Sequence, residues 1–91
     1  MRYVYLKNSS RSREEQWYIQ ATMEAWKYLP EERKMELRGL IGSVSEDARE
    51  QRALFDHLVR RIQPEVLCSR DGIGRRRLFE MRENFYRRFV I

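Results

Sequence analysis

Apolar residues recur at helical spacing in four segments of the chain, and the first of these segments begins at Ser12. Ser12 and Glu15 have the spacing of a capping box, in which each side chain hydrogen-bonds to the backbone N–H of the other residue. The pattern predicts a first helix from there to about Tyr28. Its apolar residues cover about two thirds of the helix circumference, so the helix is expected to lie at the centre of the fold or to contact a partner as well.

Two shorter helices are predicted in the middle of the chain. Pro30, followed by two glutamates, favours the start of the second helix, which is expected to end near Gly42. The third helix begins with one of two capping sequences, Ser43–Glu46 or Asp47–Glu50, and runs to about Ile62.

The C-terminal part of the chain is predicted to contain a loop and a fourth helix. Pro64 stops the third helix, and residues 64–67 have room for one further turn. Cys68–Gly74 contains two glycines and is predicted to be a loop, and the last helix extends from about Gly74 to Phe89. The clearest apolar stripes belong to the third and last helices, and their members are predicted to form one core: Leu54, Phe55, Leu58, Met81, Phe85 and Phe89.

The N-terminal residues alternate weakly, with Tyr3 and Tyr5 on one side, which is typical of a short strand. No second strand is predicted to pair with it, so residues 1–11 are expected to form an extended arm or loop, or to pair across a dimer. The fold class is therefore all-α, a single four-helix domain over residues 1–91. We expect a homodimer whose interface draws on five aromatic residues: Tyr3, Tyr5, Trp17, Tyr18 and Trp26.

Composition restricts the class of protein. With 91 residues there is room for one core, and 42% apolar with 36% charged residues is typical of a globular chain. No apolar run reaches the roughly 18 residues of a transmembrane helix, and the N-terminus is not expected to be a signal peptide. One cysteine and one histidine exclude an internal disulfide and a multi-cysteine zinc site, which favours a cytoplasmic location with no metal and no cofactor.

Catalytic motifs are not found, and the chain is predicted not to be an enzyme and to have no small-molecule substrate. It has no glycine-rich phosphate loop, no G-x-S-x-G and no H-E-x-x-H. His57 falls on the charged side of the third helix and is expected to be solvent-exposed. Cys68 follows two apolar residues and is expected to be buried and unreactive.

Charge points to the last helix. The net charge is +5, sixteen of the 19 basic residues are arginines, and residues 64–91 hold seven basic against four acidic residues. Arg75–Arg77 open the last helix, where cations oppose the helix dipole, so an anion is expected nearby. The alternative is a solvated first turn. A recognition helix would contact double-stranded DNA through the following candidates: Arg70, Arg75, Arg76, Arg77 and Arg82.

The C-terminal pattern resembles that of a known family. The residues that carry the resemblance are Gly74, Arg75, Arg76, Phe79, Glu80, Met81, Arg82, Phe85 and Tyr86, together with residues 28–33. They are similar to the corresponding residues of ArpU-like phage transcriptional regulators. The resemblance implies a phage or prophage DNA-binding regulator that acts in the cytoplasm of a bacterial host. The predicted loop Cys68–Gly74 is longer than the turn of a standard helix-turn-helix, so an irregular one is expected.

Two other functions remain open. A phage-encoded inhibitor of a host defence system, similar to an anti-CRISPR protein, would bind a host nuclease or another host protein and would have the same size and arginine surplus. A structural adaptor would use the wide apolar face of the first helix. Salt-dependent binding to random duplex DNA distinguishes the DNA-binding function from both alternatives.

Overall fold

The computed structural model describes residues 11–91, so the predicted arm with Tyr3 and Tyr5 lies outside the described residues. The part of the chain that it describes is all-helical, with five α-helices and one short 3₁₀-helix. The α-helices are α1 (Arg13–Glu24), α2 (Glu31–Val44), α3 (Ala48–Val59), α4 (Pro64–Asp71) and α5 (Arg75–Arg88), and the 3₁₀-helix is Trp26–Tyr28. The predicted class is confirmed, and the predicted count of four helices is wrong.

Helix α1 begins as the sequence predicts and ends earlier. The Glu15 backbone N–H donates to Ser12 Oγ at 3.2 Å, and the Ser12 N–H donates to Glu15 Oε1 at 3.0 Å. After Glu24 the chain tightens into the 3₁₀-helix, which turns Trp26 into the interior. Trp26 is 8% exposed, and its ring meets that of Phe55 edge-on at 5.0 Å. Trp26 is therefore a core residue, and its predicted place in a dimer interface is wrong.

The boundary between α2 and α3 follows the second of the two predicted capping sequences. Helix α2 continues through Gly42, and the Ser43 hydroxyl donates to the Leu40 carbonyl at 2.6 Å. Asp47 is the N-cap of α3, where its carboxylate accepts from the Arg49 backbone N–H at 2.8 Å. Because Ser43 lies within α2, the alternative start at Ser43–Glu46 is wrong.

Helix α4 replaces the N-terminal half of the predicted loop. Helix α3 ends at Val59, before the predicted end at Ile62, so Pro64 does not stop it. Pro64 instead occupies the first turn of α4, where a backbone N–H would have no partner within the helix and proline is therefore tolerated. Gly72 ends α4 with a left-handed conformation at φ 65°. Three residues, Gly72–Gly74, then connect α4 to α5, in place of the seven-residue loop expected at Cys68–Gly74.

The core lies around α5, which contributes the largest buried side chains. Leu78, Met81, Phe85 and Phe89 are at most 1% exposed. Leu54 and Leu58 of α3 belong to the same cluster, and Phe55 packs against it half-buried. The predicted core between the third and last predicted helices is confirmed, and α1 completes it with Ile19 and Met23.

Candidate nucleic-acid interface

A tight turn presents the first residues of α5 at the surface. Glycine tolerates the positive φ at Gly72, and the Gly72 backbone N–H donates to the Cys68 carbonyl at 3.0 Å, which closes α4. Ile73 is buried and anchors the turn to the core, whereas Gly74 is exposed. The turn therefore has one apolar anchor and leaves the N-terminal end of α5 accessible.

Arg76 and Arg75 are the most accessible of the five predicted contact residues. The Arg76 side chain is 95% exposed, and its Nε lies 3.5 Å from Glu80 Oε1. Arg75 lies 3.3 Å from Glu65, and its guanidinium stacks over the Phe79 ring at 5.5 Å. Exposed ion pairs of this kind contribute little to stability, so both guanidinium groups can exchange these partners for a phosphate or a base edge.

The outer face of α5 forms a shallow open groove beyond these arginines. Its lining combines positive, negative, aromatic and amide groups: Arg75, Arg76, Phe79, Glu80, Glu83, Asn84 and Arg87. Each of these groups has a preferred partner on the base edges of a DNA major groove.

Arg77 has a different environment from its two neighbours. Its Nε and Nη2 atoms donate to the two carboxylate oxygens of Glu50 at 2.9 and 3.0 Å, a bidentate contact between α5 and the first turn of α3. The hydrogen bonds from Arg77 hold the pKa of Glu50 below its usual value, and the hydrogen bond from the Ser45 hydroxyl makes a smaller contribution in the same direction. The geometry assigns Arg77 to fixing the N-terminal end of α5 against α3.

Arg70 belongs to a network of three arginines around two buried carboxylates. Its guanidinium lies 2.7 Å from Asp71 and 2.8 Å from Asp56. Arg52 also pairs with Asp71, and Arg60 lies 3.5 Å from Asp56. The hydrogen bonds from Arg70, ahead of that from Arg52, hold the pKa of Asp71 below its usual value. Three arginines and two aspartates give this network a net charge of +1. The aspartate side chains are buried and the arginine side chains are more exposed, so the positive charge lies at the surface.

Arg49 also lies beside the α4–α5 turn. Its Nη1 atom is 3.8 Å from the position that a Cβ at Gly72 would occupy. Arg49 and Arg52 of α3, and Arg60 directly after α3, are three exposed arginines that the sequence did not place in the site. These residues share one face in the helical periodicity. The contacts that place Arg49 beside Gly72 and Arg52 beside Asp71 depend on α4, which the sequence did not predict.

Arg82 lies inside the protein although the sequence places it among the DNA contacts. It is 5% exposed, and its Nη2 donates to the Tyr86 hydroxyl at 3.1 Å while its guanidinium stacks over the Tyr86 ring at 5.2 Å. Its Nη1 lies 3.2 Å from His57 Nε2. His57 is half-buried, not exposed as predicted, and this burial lowers its pKa. Arg82 is therefore a residue of the interior, and its predicted place among exposed DNA contacts is wrong.

The two remaining candidates for a dimer interface and the single cysteine differ in exposure. Trp17 and Tyr18 remain exposed on α1. Cys68 is half-buried rather than buried, because Leu67 is the neighbour that enters the core while Val66 faces solvent. Full burial of Cys68 was therefore a wrong prediction.

No protein-family model, curated protein or solved structure matches this chain. Residues 11–91 contain no cluster of three histidine, cysteine or acidic residues that could hold a metal ion. Within the same residues, no helix is long and apolar enough to cross a membrane.

Proposed function

We propose that this chain is a DNA-binding protein of the transcriptional-regulator type, encoded by a phage or prophage, in which α4 and α5 act as a helix-turn-helix. The observation that carries the proposal is the three-residue turn Gly72–Gly74, which exposes a helix that begins with three arginines. In this motif the N-terminal residues of the second helix reach the base edges of the major groove. The long loop that distinguished the sequence from a standard helix-turn-helix is absent between α4 and α5.

The exposed arginines divide by position into two proposed roles. Arg75 and Arg76, at the start of α5, enter the groove. The arginines of α3 and α4 near the turn contact phosphates, which fix the orientation of a protein on the duplex without reading sequence. They are Arg49, Arg52 and Arg70. Arg77 acts through Glu50 by holding α5 in place.

The resemblance to ArpU-like phage transcriptional regulators supports the same function. The matching residues Gly74, Arg75 and Arg76 form the end of the turn and the first turn of α5. Among the matching apolar residues, Met81 and Phe85 lie in the core and hold α5 in position.

The proposal is tested by substituting the most exposed arginine, with a lysine elsewhere as control. Arg76→Ala is expected to weaken binding to random duplex DNA and to reduce the slope of log K against log salt by about one unit. Lys27→Ala removes the same charge from an exposed position in the 3₁₀-helix and is expected to leave the slope unchanged. Fluorescence anisotropy over a salt series measures both, and far-UV circular dichroism verifies the fold. Equal slopes for Arg76→Ala and the parent chain would contradict the proposed role of α5.

A protein partner is the second candidate, favoured by the aromatic surface of α1. Trp17 and Tyr18 are 47% and 43% exposed and line a groove with Arg13 and Glu14. Aromatic residues and arginine are enriched in protein interfaces. A phage-encoded inhibitor of a host nuclease would use this surface. The test compares inhibition of a host nuclease by three proteins: the parent chain, a Trp17→Ser, Tyr18→Ser double variant and Arg76→Ala. Inhibition that the double variant loses and Arg76→Ala retains would favour this function over DNA binding.

A further inference from the structure

A cavity of about 260 Å³ shares no lining residue with the groove that begins at Arg75 and Arg76. Side chains of α1, α3, α5 and the connection between α3 and α4 form its wall. The polar part of the wall consists of Gln20, His57, Arg61, Gln63, Arg82 and Tyr86. The apolar part consists of Leu58, Ile62 and Pro64. The cavity therefore has a polar side and an apolar side.

The polar side carries a net positive charge and several hydrogen-bond donors. Of the described residues that line the cavity, two are charged and both are arginines, Arg61 and Arg82. The Arg82 contact makes His57 Nε2 an acceptor, so Nδ1 carries the proton and donates to the Ile62 carbonyl at 3.1 Å. The ring is therefore neutral, and because Glu24 already pairs with Arg61, the net positive charge of the wall comes from Arg82. The hydroxyl of Tyr86, which is fully buried, accepts from Arg82 and keeps its own proton as a donor.

The backbone at the cavity edge is strained. Arg61 has φ 58°, the left-handed conformation that non-glycine residues rarely adopt, and it is the one described non-glycine residue with a positive φ. An ion pair with Glu24 of α1 holds its side chain in place. Backbone strain of this kind concentrates at ligand-binding sites, where the surrounding contacts maintain it.

Volume and lining together define the ligand class. A volume of about 260 Å³ lies below the range of roughly 300–1,000 Å³ typical of pockets for drug-sized ligands, so the ligand is small. We propose that this cavity binds a small organic carboxylate with an apolar body, whose carboxylate contacts Arg61 and Arg82 and whose body packs on Leu58 and Ile62. The proposal does not depend on DNA binding, because none of these residues belongs to the surface around the α4–α5 turn.

The single histidine of the chain makes the test direct, because His57 lines the cavity and gives one imidazole signal. Benzoate is the probe, titrated into the full chain at constant ionic strength with NMR detection. We expect a saturable shift of the imidazole signal with one binding site, and a rise in melting temperature because the ligand binds only the folded chain. Arg61→Gln is expected to weaken benzoate binding by about tenfold, the loss typical of one charged hydrogen bond.

Control variants and control anions decide the outcome. Lys27→Gln removes a positive charge from the 3₁₀-helix and is expected to leave benzoate affinity unchanged. A shift that sodium chloride reproduces, or that Arg61→Gln leaves unchanged, would overturn the proposal. Saturable binding of inorganic phosphate without binding of benzoate would also overturn it, because phosphate has no apolar body.

Discussion

Phe85 is the residue whose loss tests the packing of α5 most severely. Its side chain is fully buried, and its ring centroid lies 5.9 Å from that of Phe89 and 6.4 Å from that of Tyr86. Phe85→Ala removes the ring from a core that cannot close around the space, so lost burial and cavity formation both contribute. We expect the free energy of unfolding to fall by about 3–5 kcal/mol. This is a large part of the roughly 5–15 kcal/mol typical of a native domain.

The change is measured by urea unfolding, with far-UV circular dichroism as the signal. Since each kcal/mol shifts the melting temperature of a domain of this size by about 4–8 °C, the variant is expected to melt at least 12 °C below the parent chain. The dependence of the free energy on urea is expected to stay the same, because the surface exposed on unfolding is nearly unchanged.

Phe79→Ala is the matched control, because it is also a phenylalanine-to-alanine change in α5 but lies on the outer face of the helix. Phe79 is half-buried and contacts Arg75 through its ring, so its loss is expected to lower stability by less than about 1 kcal/mol. Equal losses for the two variants, or a loss below about 1 kcal/mol for Phe85→Ala, would refute the position of α5 at the centre of the core.

Three further predictions concern ion pairs, pH and self-association. Arg77→Ala is expected to lower stability by about 1 kcal/mol through loss of the bidentate contact, and Arg76→Ala to change it by less than about 0.5 kcal/mol, both measured by urea unfolding. Because burial lowers the pKa of His57 from 6.5, the unfolded chain binds more protons, and stability is expected to fall as pH decreases below about 6.5. Urea unfolding from pH 7.5 to 5.5 measures this change in stability. In His57→Gln the pH dependence of stability should be weaker. We expect a dimer through Trp17 and Tyr18; sedimentation that shows only monomer at high micromolar concentration would exclude it.

Helical periodicity predicted the elements whose apolar residues form a continuous stripe. In α5, the spacing of Leu78, Met81, Phe85 and Phe89 identifies the buried face, and the structure buries all four. In α4, Leu67 is the one apolar residue that is buried, so the segment has no apolar stripe from which helical periodicity could predict a helix. The glycines of the Cys68–Gly74 segment mark a turn, but do not reveal that the turn is confined to three residues.

The partners of the arginines required the tertiary structure. Arg77 meets Glu50 across 27 positions of sequence, and Arg52 meets Asp71 across 19. Neither contact follows from local spacing. The helical wheel of the last helix does place Arg82 on the apolar side near Tyr86, which is the ring over which Arg82 stacks. The same wheel places Arg75 on that side as well, so local spacing did not separate the buried Arg82 from the exposed Arg75.

The salt dependence of binding to random duplex DNA is the measurement that tests the proposed function most directly. Fluorescence anisotropy at salt concentrations from about 50 to 300 mM gives the slope of log K against log salt, which counts the phosphates neutralised on binding. Several guanidinium groups surround the α4–α5 turn, so we predict a slope of about −3 to −5. No detectable binding at about 50 mM salt, or binding that does not change with salt, would contradict a DNA-binding function.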